Sequence, residues 1–332
     1  MIPFNKLLNK LGYDTSQYYK NTNSYLSEPE PEFAPLIRNA YNAEIKGIYF
    51  FETTSQNKIS KPNPAVYITE ANDVFQASII HKRVWNIGQA PFLIVNTPQK
   101  ILIYTGFNYS KNIEECLLDE IIRFSDLNRL LSNFKADFIN AGYIWKNKYA
   151  EKIDVEKRVD KRLLKNLEEL EKILTGEKGL DKKASHSLIG KYIYLKYLRG
   201  KKILTDEWIQ KQGIKPDEVF DINAKLDSFK SLIKALEQKL NGKIFPIDFD
   251  NKNIKEKHIK LIASVFKGEQ LKNKQLPLFD IYDFEYIPIE TLSSIYEQFI
   301  SEKSEKKAER GGLYAGISCG LCNWRNGDRK TA

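Results

Sequence analysis

AVYITEA (65–71), DVFQASIIHKRVWNIGQ (73–89), PFLIVNT (91–97) and ILIYTGF (101–107) follow one another with almost no spacer. The first, third and fourth are short runs of β-branched and aromatic residues bounded by Pro, Asn and Gly, which predicts strands. In the second, Phe75, Ile79, Ile80, Val84 and Ile87 recur at helical spacing. PFLIV is apolar without interruption, as a strand covered on both faces must be, and Pro98-Gln99 turns the chain into the last strand. GIYFFETT (47–54) adds a strand upstream. The order strand, strand, helix, strand, strand predicts a small mixed sheet in an α/β unit.

Outward from this unit the character changes twice. The first 40 residues are polar and aromatic and contain SEPEPEFAP (27–35), which reads as an irregular lead-in or a short helix plus linker. Beyond residue 112 the strand signal fades: IEECLLDEIIRF, LNRLLSNF, VDKRLLKNLEELEKILTG and SHSLIGKYIYLKYLRGKKIL carry apolar residues at i, i+3 and i+4. Val159, Leu163, Leu167, Leu170 and Leu174 form one stripe, with Gly176 as its stop, and Thr205 is placed to cap the helix entered at Trp208. Two more helices are expected in AKLDSFKSLIKALEQKLNG and IKEKHIKLIASVFKG, and Pro288 opens another whose stripe is Leu292, Ile295, Tyr296 and Phe299. The reading therefore gives an α/β domain over 1–111, a mainly α-helical domain over 112–275, a lead-in helix within 276–310 and an irregular tail over 311–332.

Composition bounds the function. The 332 residues hold 52 Lys+Arg against 43 Asp+Glu, a net charge of +9, and 42% hydrophobic residues, enough for a folded core. No run reaches the roughly 18 consecutive apolar residues of a membrane helix, and the start lacks the apolar core of a secretory signal. Cys116, Cys319 and Cys322 cannot make a disulfide framework. A soluble, cytoplasmic protein without a membrane partner is expected, its basic balance compatible with a polyanion.

Several residues are candidates for chemistry. Glu52 and Glu70 end the first two strands, and acids on adjacent strands can hold a Mg²⁺ that activates water against a phosphodiester. A nuclease of the PD-(D/E)xK type also wants a Lys two residues after the second acid; here the triplet is Glu70-Ala71-Asn72, while Glu44-Ile45-Lys46 has the letters but no acid-bearing strand clearly precedes it. Lys82, Arg83 and Trp85 mix cations with an aromatic ring, as DNA-contacting faces do, although packing of Trp85 on the sheet is the plainer reading. Lys191, Lys196, Arg199, Lys201 and Lys202 lie opposite the apolar face of 180–204 and could follow a phosphate backbone. His186 reads as a core or capped histidine, Asp280, Asp283 and Glu285 as loop and helix-start acids. Cys319 and Cys322 form a lone CxxC with no second pair for zinc.

Three segments together resemble a known family. VFQASIIHKRVWNIGQAPFLIVNTPQKILIYTGF, SHSLIGKYIYLKYLRGKKIL and YDFEYIPIETLSSIYEQFI are similar, in order and spacing, to segments of large adenine-specific (N-6) DNA methyltransferases. These belong to single-chain type IIG (Eco57I-like) restriction–modification enzymes, a defence against phage DNA. The likeness spans roughly residues 45–310. It implies a degenerate restriction-nuclease-like domain, then a helical DNA-binding or connector domain, with double-stranded DNA as partner.

The family's methyl-transfer half binds S-adenosylmethionine through a Gly-rich turn and grips the flipped adenine with an Asn-Pro-Pro-Tyr type motif. Neither motif is present: Asn63-Pro64-Ala65-Val66 has no aromatic after its Pro, and after Gly311-Gly312-Leu313-Tyr314 the chain departs from the family pattern. The resemblance thus implies the truncated or frameshifted amino-terminal part of such an enzyme, without a cofactor and without methyl transfer, binding DNA weakly. Two alternatives stand beside it. One is a Mg²⁺-dependent endonuclease on Glu52 and Glu70. The other is a module that docks a separate methyltransferase or specificity subunit through an exposed apolar patch on 289–300.

Overall fold

Six strands form one mixed sheet in the order β1-β2-β3-β4-β5-β6: Tyr19–Asn21, Gly47–Phe50, Pro64–Glu70, Phe92–Asn96, Ile101–Thr105 and Leu117–Ile121. Every neighbouring pair is antiparallel except β3 and β4, which run parallel with Glu70 paired to Asn96. A parallel pair needs a crossover, and α3 (Val74–Ile87) supplies it. The computed structural model describes residues 2–27, 30–51, 62–242, 245, 247, 249, 253–267 and 279–301. The chain folds as two compact units, Met1–Arg162 with Tyr286–Pro288, and Leu163–Glu285 with Ile289–Ala332.

In the first unit both sheet faces are covered, which explains the unbroken apolar runs. Val66, Ile68, Phe92, Ile94, Ile101 and Ile103 face one cluster, packed with residues of α1 (Phe4–Leu11), α4 (Leu127–Phe134) and α5 (Ala136–Asn140). The alternate residues Tyr67, Leu93, Val95, Leu102 and Tyr104 face the other, with α2 (Ala34–Asn42) and α3. On the first face Tyr13 stacks on Tyr49 with ring centroids 4.4 Å apart, and its hydroxyl donates to the Phe134 carbonyl at 2.8 Å. Tyr13→Phe strands that buried carbonyl and is expected to cost about 1.5 kcal/mol in urea unfolding.

The structure corrects the sequence reading in several places. The first 40 residues are not a lead-in: α1, β1 and α2 lie in them and belong to the sheet unit. IEECLLDEIIRF is not a helix but a 3-10 turn (Ile113–Cys116) followed by β6. The α/β unit accordingly continues past residue 111, as far as Arg162. On α3 the buried side is Ala77, Ile80, His81, Val84 and Trp85, while Phe75 and Ile79 are exposed.

The second unit is helical. Its elements are the greater part of α6 (Val159–Lys172), α7 (Lys182–Gly200), α8 (Asp206–Lys211), α9 (Asp217–Phe220), α10 (Leu226–Lys239), α11 (Glu256–Lys267) and α12 (Ile289–Ser301). The α6 stripe from Val159 to Leu174 is buried throughout, and Thr205 Oγ accepts from the Trp208 amide at 3.3 Å as the cap requires. The end of α6 differs from expectation: the chain runs through a π turn at Ile173–Glu177, and it is Gly179, at φ +66°, that takes the left-handed backbone. Leu292, Ile295, Tyr296 and Phe299 of α12 are all buried, and the Tyr296 hydroxyl donates to the His186 carbonyl at 3.1 Å. That stripe is therefore not the exposed patch a docking module would offer. No helix among the described residues is long and apolar enough to cross a membrane.

Candidate functional site

β3 runs on into the crossover helix α3, while β4 turns through Thr97–Lys100 into β5, so the two parallel strands part at their ends. A cleft of about 490 Å³ lies there, lined by Lys46, Glu70, Asn72, Gln76, Asn96 and Thr97, with Ile2 and Pro3 at its edge. Glu70 follows Val66 and Ile68 on one face of β3, the face that Asn96 shares on β4. Asn96 is buried and its amide donates to the Ile2 carbonyl at 3.1 Å, which ties the start of the chain to the cleft.

The helix start beyond the cleft is held reciprocally. Asp73 accepts from the Gln76 amide at 2.7 Å, and the Gln76 side chain accepts from the Asn72 amide at 2.7 Å, so orphan donors of the first turn are satisfied. Gln76 also reaches Glu44, whose carboxylate pairs with Arg83. Glu44 stands at φ +65°, a left-handed conformation that costs a residue with a Cβ about 1 kcal/mol. The Thr69 hydroxyl, donating to the Glu44 carbonyl at 2.7 Å, and the Arg83 ion pair hold it there.

The decisive contact is between Lys46 and Glu70. The Lys46 ammonium lies 2.5 Å from Glu70 Oε2, and it also sits 5.4 Å from the centre of the Phe4 ring. The carboxylate that a nuclease would give to a metal thus has a side-chain counterion of its own. Two residues on, where such a site uses a Lys, Asn72 supplies an uncharged amide. Glu52, the other acid expected to take part, lies outside the described residues. A Mg²⁺ at Glu70 would have to displace the Lys46 ammonium from the same oxygen. Among the described residues no three His, Cys, Asp or Glu side chains gather closely enough to hold a metal ion. What the cleft offers is amide and ammonium donors around a neutralised acid.

In the first unit the expected DNA-contacting residues each meet side chains of the fold. Lys82 lies over the Tyr109 ring at 5.8 Å, and Arg83 lies over Tyr286 at 5.3 Å while pairing with Glu44. Trp85 is fully buried: it stacks on Tyr109 at 5.3 Å and donates to the Lys157 carbonyl at 3.1 Å. Its ring is buried against Tyr109 and so is withdrawn from any nucleic acid.

In the other unit much of α7 is buried, and of the expected basic face Lys191 is buried, Lys196, Arg199 and Lys201 are part-buried and Lys202 is exposed. Lys191 is 1% exposed and pairs with Glu237 at 3.4 Å, its pKa lowered by burial. Burial and then the Arg199 guanidinium pull Lys196 down to about 8, against the pull of Asp221. Arg199 pairs with Asp206 at 2.7 Å and lies over Phe220 at 4.3 Å. Lys201 donates to the Glu285 carbonyl, and burial lowers its pKa too. Lys202 alone of the five extends well into solvent, 3.5 Å from the Glu285 carboxylate.

His186 is part-buried, and its Nε2 lies 3.3 Å from the Glu171 carboxylate, a partner that the sequence did not give it. The CxxC of 319–322 lies outside the described residues. Lys46 was missed from the sequence as the partner of Glu70, since only the β2–β3 register brings the two strands' ends together. Comparison with known proteins adds no relative: no protein-family model, no curated protein and no solved structure matches this chain.

Proposed function

We propose that residues 2–162 form a nuclease-like module that binds duplex DNA weakly without cutting it. We further propose that the chain is the amino-terminal part of an adenine-specific restriction–modification enzyme. The observation that carries the reading is the Lys46–Glu70 pair in the crevice beyond β3 and β4, with Asn72 where a nuclease uses Lys. A β3–α3–β4 crossover with an acid at the end of β3 supports the nuclease-like reading, and here that acid has a counterion within the fold. Because the pair carries no net charge, the cleft adds little long-range attraction. Lysines elsewhere on the unit must supply the counterion release, and weak, strongly salt-dependent binding follows.

The test is anisotropy of a labelled duplex at increasing salt. Lys82→Glu is expected to weaken binding several-fold and to lower the log–log salt slope by about 1, and Lys46→Glu, which sets a second acid beside an unpaired Glu70, to weaken binding by a similar factor. Unchanged affinity and slope in both variants count against the cleft as the duplex site. The alternative, an endonuclease on Glu52 and Glu70, is what metal-dependent cleavage would support.

A further inference from the structure

A second surface of the first unit, away from the cleft residues, carries its own pattern. In KADFINAGYIWKNKY (135–149) Ala136, Ile139, Ile144 and Tyr149 are buried in the cluster beneath the sheet, which fastens the segment in place. Between them Phe138, Tyr143 and Trp145 stay 38%, 52% and 48% exposed. Gly142, at φ +74°, makes the turn that brings Phe138 beside Tyr143, with ring centroids 5.8 Å apart. Trp145 is backed by Phe51, stacked at 5.4 Å, so its exposed side belongs to a rigid ring. The Lys146 ammonium lies 5.4 Å from the Tyr143 ring centre and that of Lys148 5.0 Å from Tyr149.

Three exposed aromatic rings among exposed lysines are a costly surface to leave in water. A protein partner is the poorer fit, since lysine is depleted from the cores of protein interfaces. Duplex DNA is also a poor fit, because its bases are already stacked on one another. Rings with cations beside them suit unpaired bases, whose faces stack on the aromatics while the phosphates lie along the lysines. We propose that this surface binds single-stranded nucleic acid, with bases on Tyr143 and Trp145 and backbone on Lys146 and Lys148. The inference goes beyond the duplex reading and shares none of the cleft residues.

The test is anisotropy of a labelled oligothymidylate and an oligouridylate, each about twenty nucleotides long, at low salt with the full chain. Tyr143→Ala and the double variant Lys146→Glu/Lys148→Glu are each expected to weaken binding about tenfold. Both should leave the far-ultraviolet dichroism and duplex binding unchanged. Trp145→Phe keeps a ring to stack on, so it should bind within about threefold of wild type while losing most of the tryptophan quenching. Preference between the two oligonucleotides identifies the strand chemistry. Absence of binding to both, or equal affinity in wild type, Tyr143→Ala and the lysine double variant, overturns the proposal. Loss of duplex binding in Lys46→Glu with oligonucleotide binding intact would separate the two surfaces.

Discussion

Gly106→Ala should be among the most damaging single-methyl changes in this protein, lowering stability by about 3 kcal/mol or more. A Cβ at Gly106 would stand 2.1 Å from the Ala90 carbonyl oxygen and 3.2 Å from its carbon, both backbone atoms. Neither side can yield cheaply. The Gly106 amide donates to the Pro91 carbonyl at 2.8 Å, and the adjacent residue Thr105 is paired with Phe92 in the β4–β5 ladder. Relief of the overlap means opening the end of that hairpin. Gly176→Ala is the control: nothing stands within 4 Å of its added Cβ, and the substitution should stay within about 0.5 kcal/mol of wild type. Urea midpoints of the two variants, measured together, decide the matter; equal midpoints would refute the close approach of Gly106 to Ala90.

Acidification should destabilise the protein through His81. The imidazole is fully buried on α3, Nε2 lies 2.8 Å from the Thr105 carbonyl, and the ring tilts against Tyr104 at 5.1 Å. Burial pulls its pKa from 6.5 down to about 4, against the carbonyls of Thr105 and Asn108, which favour the charged form. The folded state therefore binds fewer protons than the unfolded chain between about pH 6.5 and 4. Stability is full above that window and falls as the pH drops through it, by roughly 3 kcal/mol in total. His258, also lowered by burial, acts in the same direction. The difference between wild type and His81→Gln isolates the ring from the carboxylates that titrate in the same range. The unfolding free energy of wild type should drop more steeply from pH 7 to pH 4.5 than that of the variant. A parallel pair of curves would mean that His81 is accessible to protons in the folded state.

Much of the sheet was readable because its strands are buried on both faces. The runs at 65–71, 91–97 and 101–107 have no polar side to confuse with a helix, and α3 between them carries a long apolar periodicity. β6 escaped because Leu117, Leu118, Ile121 and Ile122 repeat at i, i+1, i+4 and i+5, a helical spacing with no alternation, and the ladder with β5 made the segment a strand. β1 is three residues long and owes its strand to β2 alone. The candidate site was half legible: Glu70 and the missing Lys at Asn72 stand in the local sequence. The cation that neutralises Glu70 comes from the neighbouring strand, and strand register is not written in local composition. The basic face assigned to α7 failed for a related reason, since a helix with lysines among tyrosines and leucines can be interior when each cation finds a carbonyl or carboxylate. Lys191 with Glu237 and Lys201 with the Glu285 carbonyl are such cases.

The measurement that bears most directly on the central claim is incubation of supercoiled plasmid with the full chain and Mg²⁺ or Mn²⁺, beside Glu70→Ala. The protein should be present at concentrations where the plasmid is retarded in a gel. With the Glu70 carboxylate held by Lys46, plasmid should be retarded but uncut in both proteins, with no effect of a chelator. Metal-dependent nicking or linearisation that disappears in Glu70→Ala would contradict it and make the cleft a working nuclease centre.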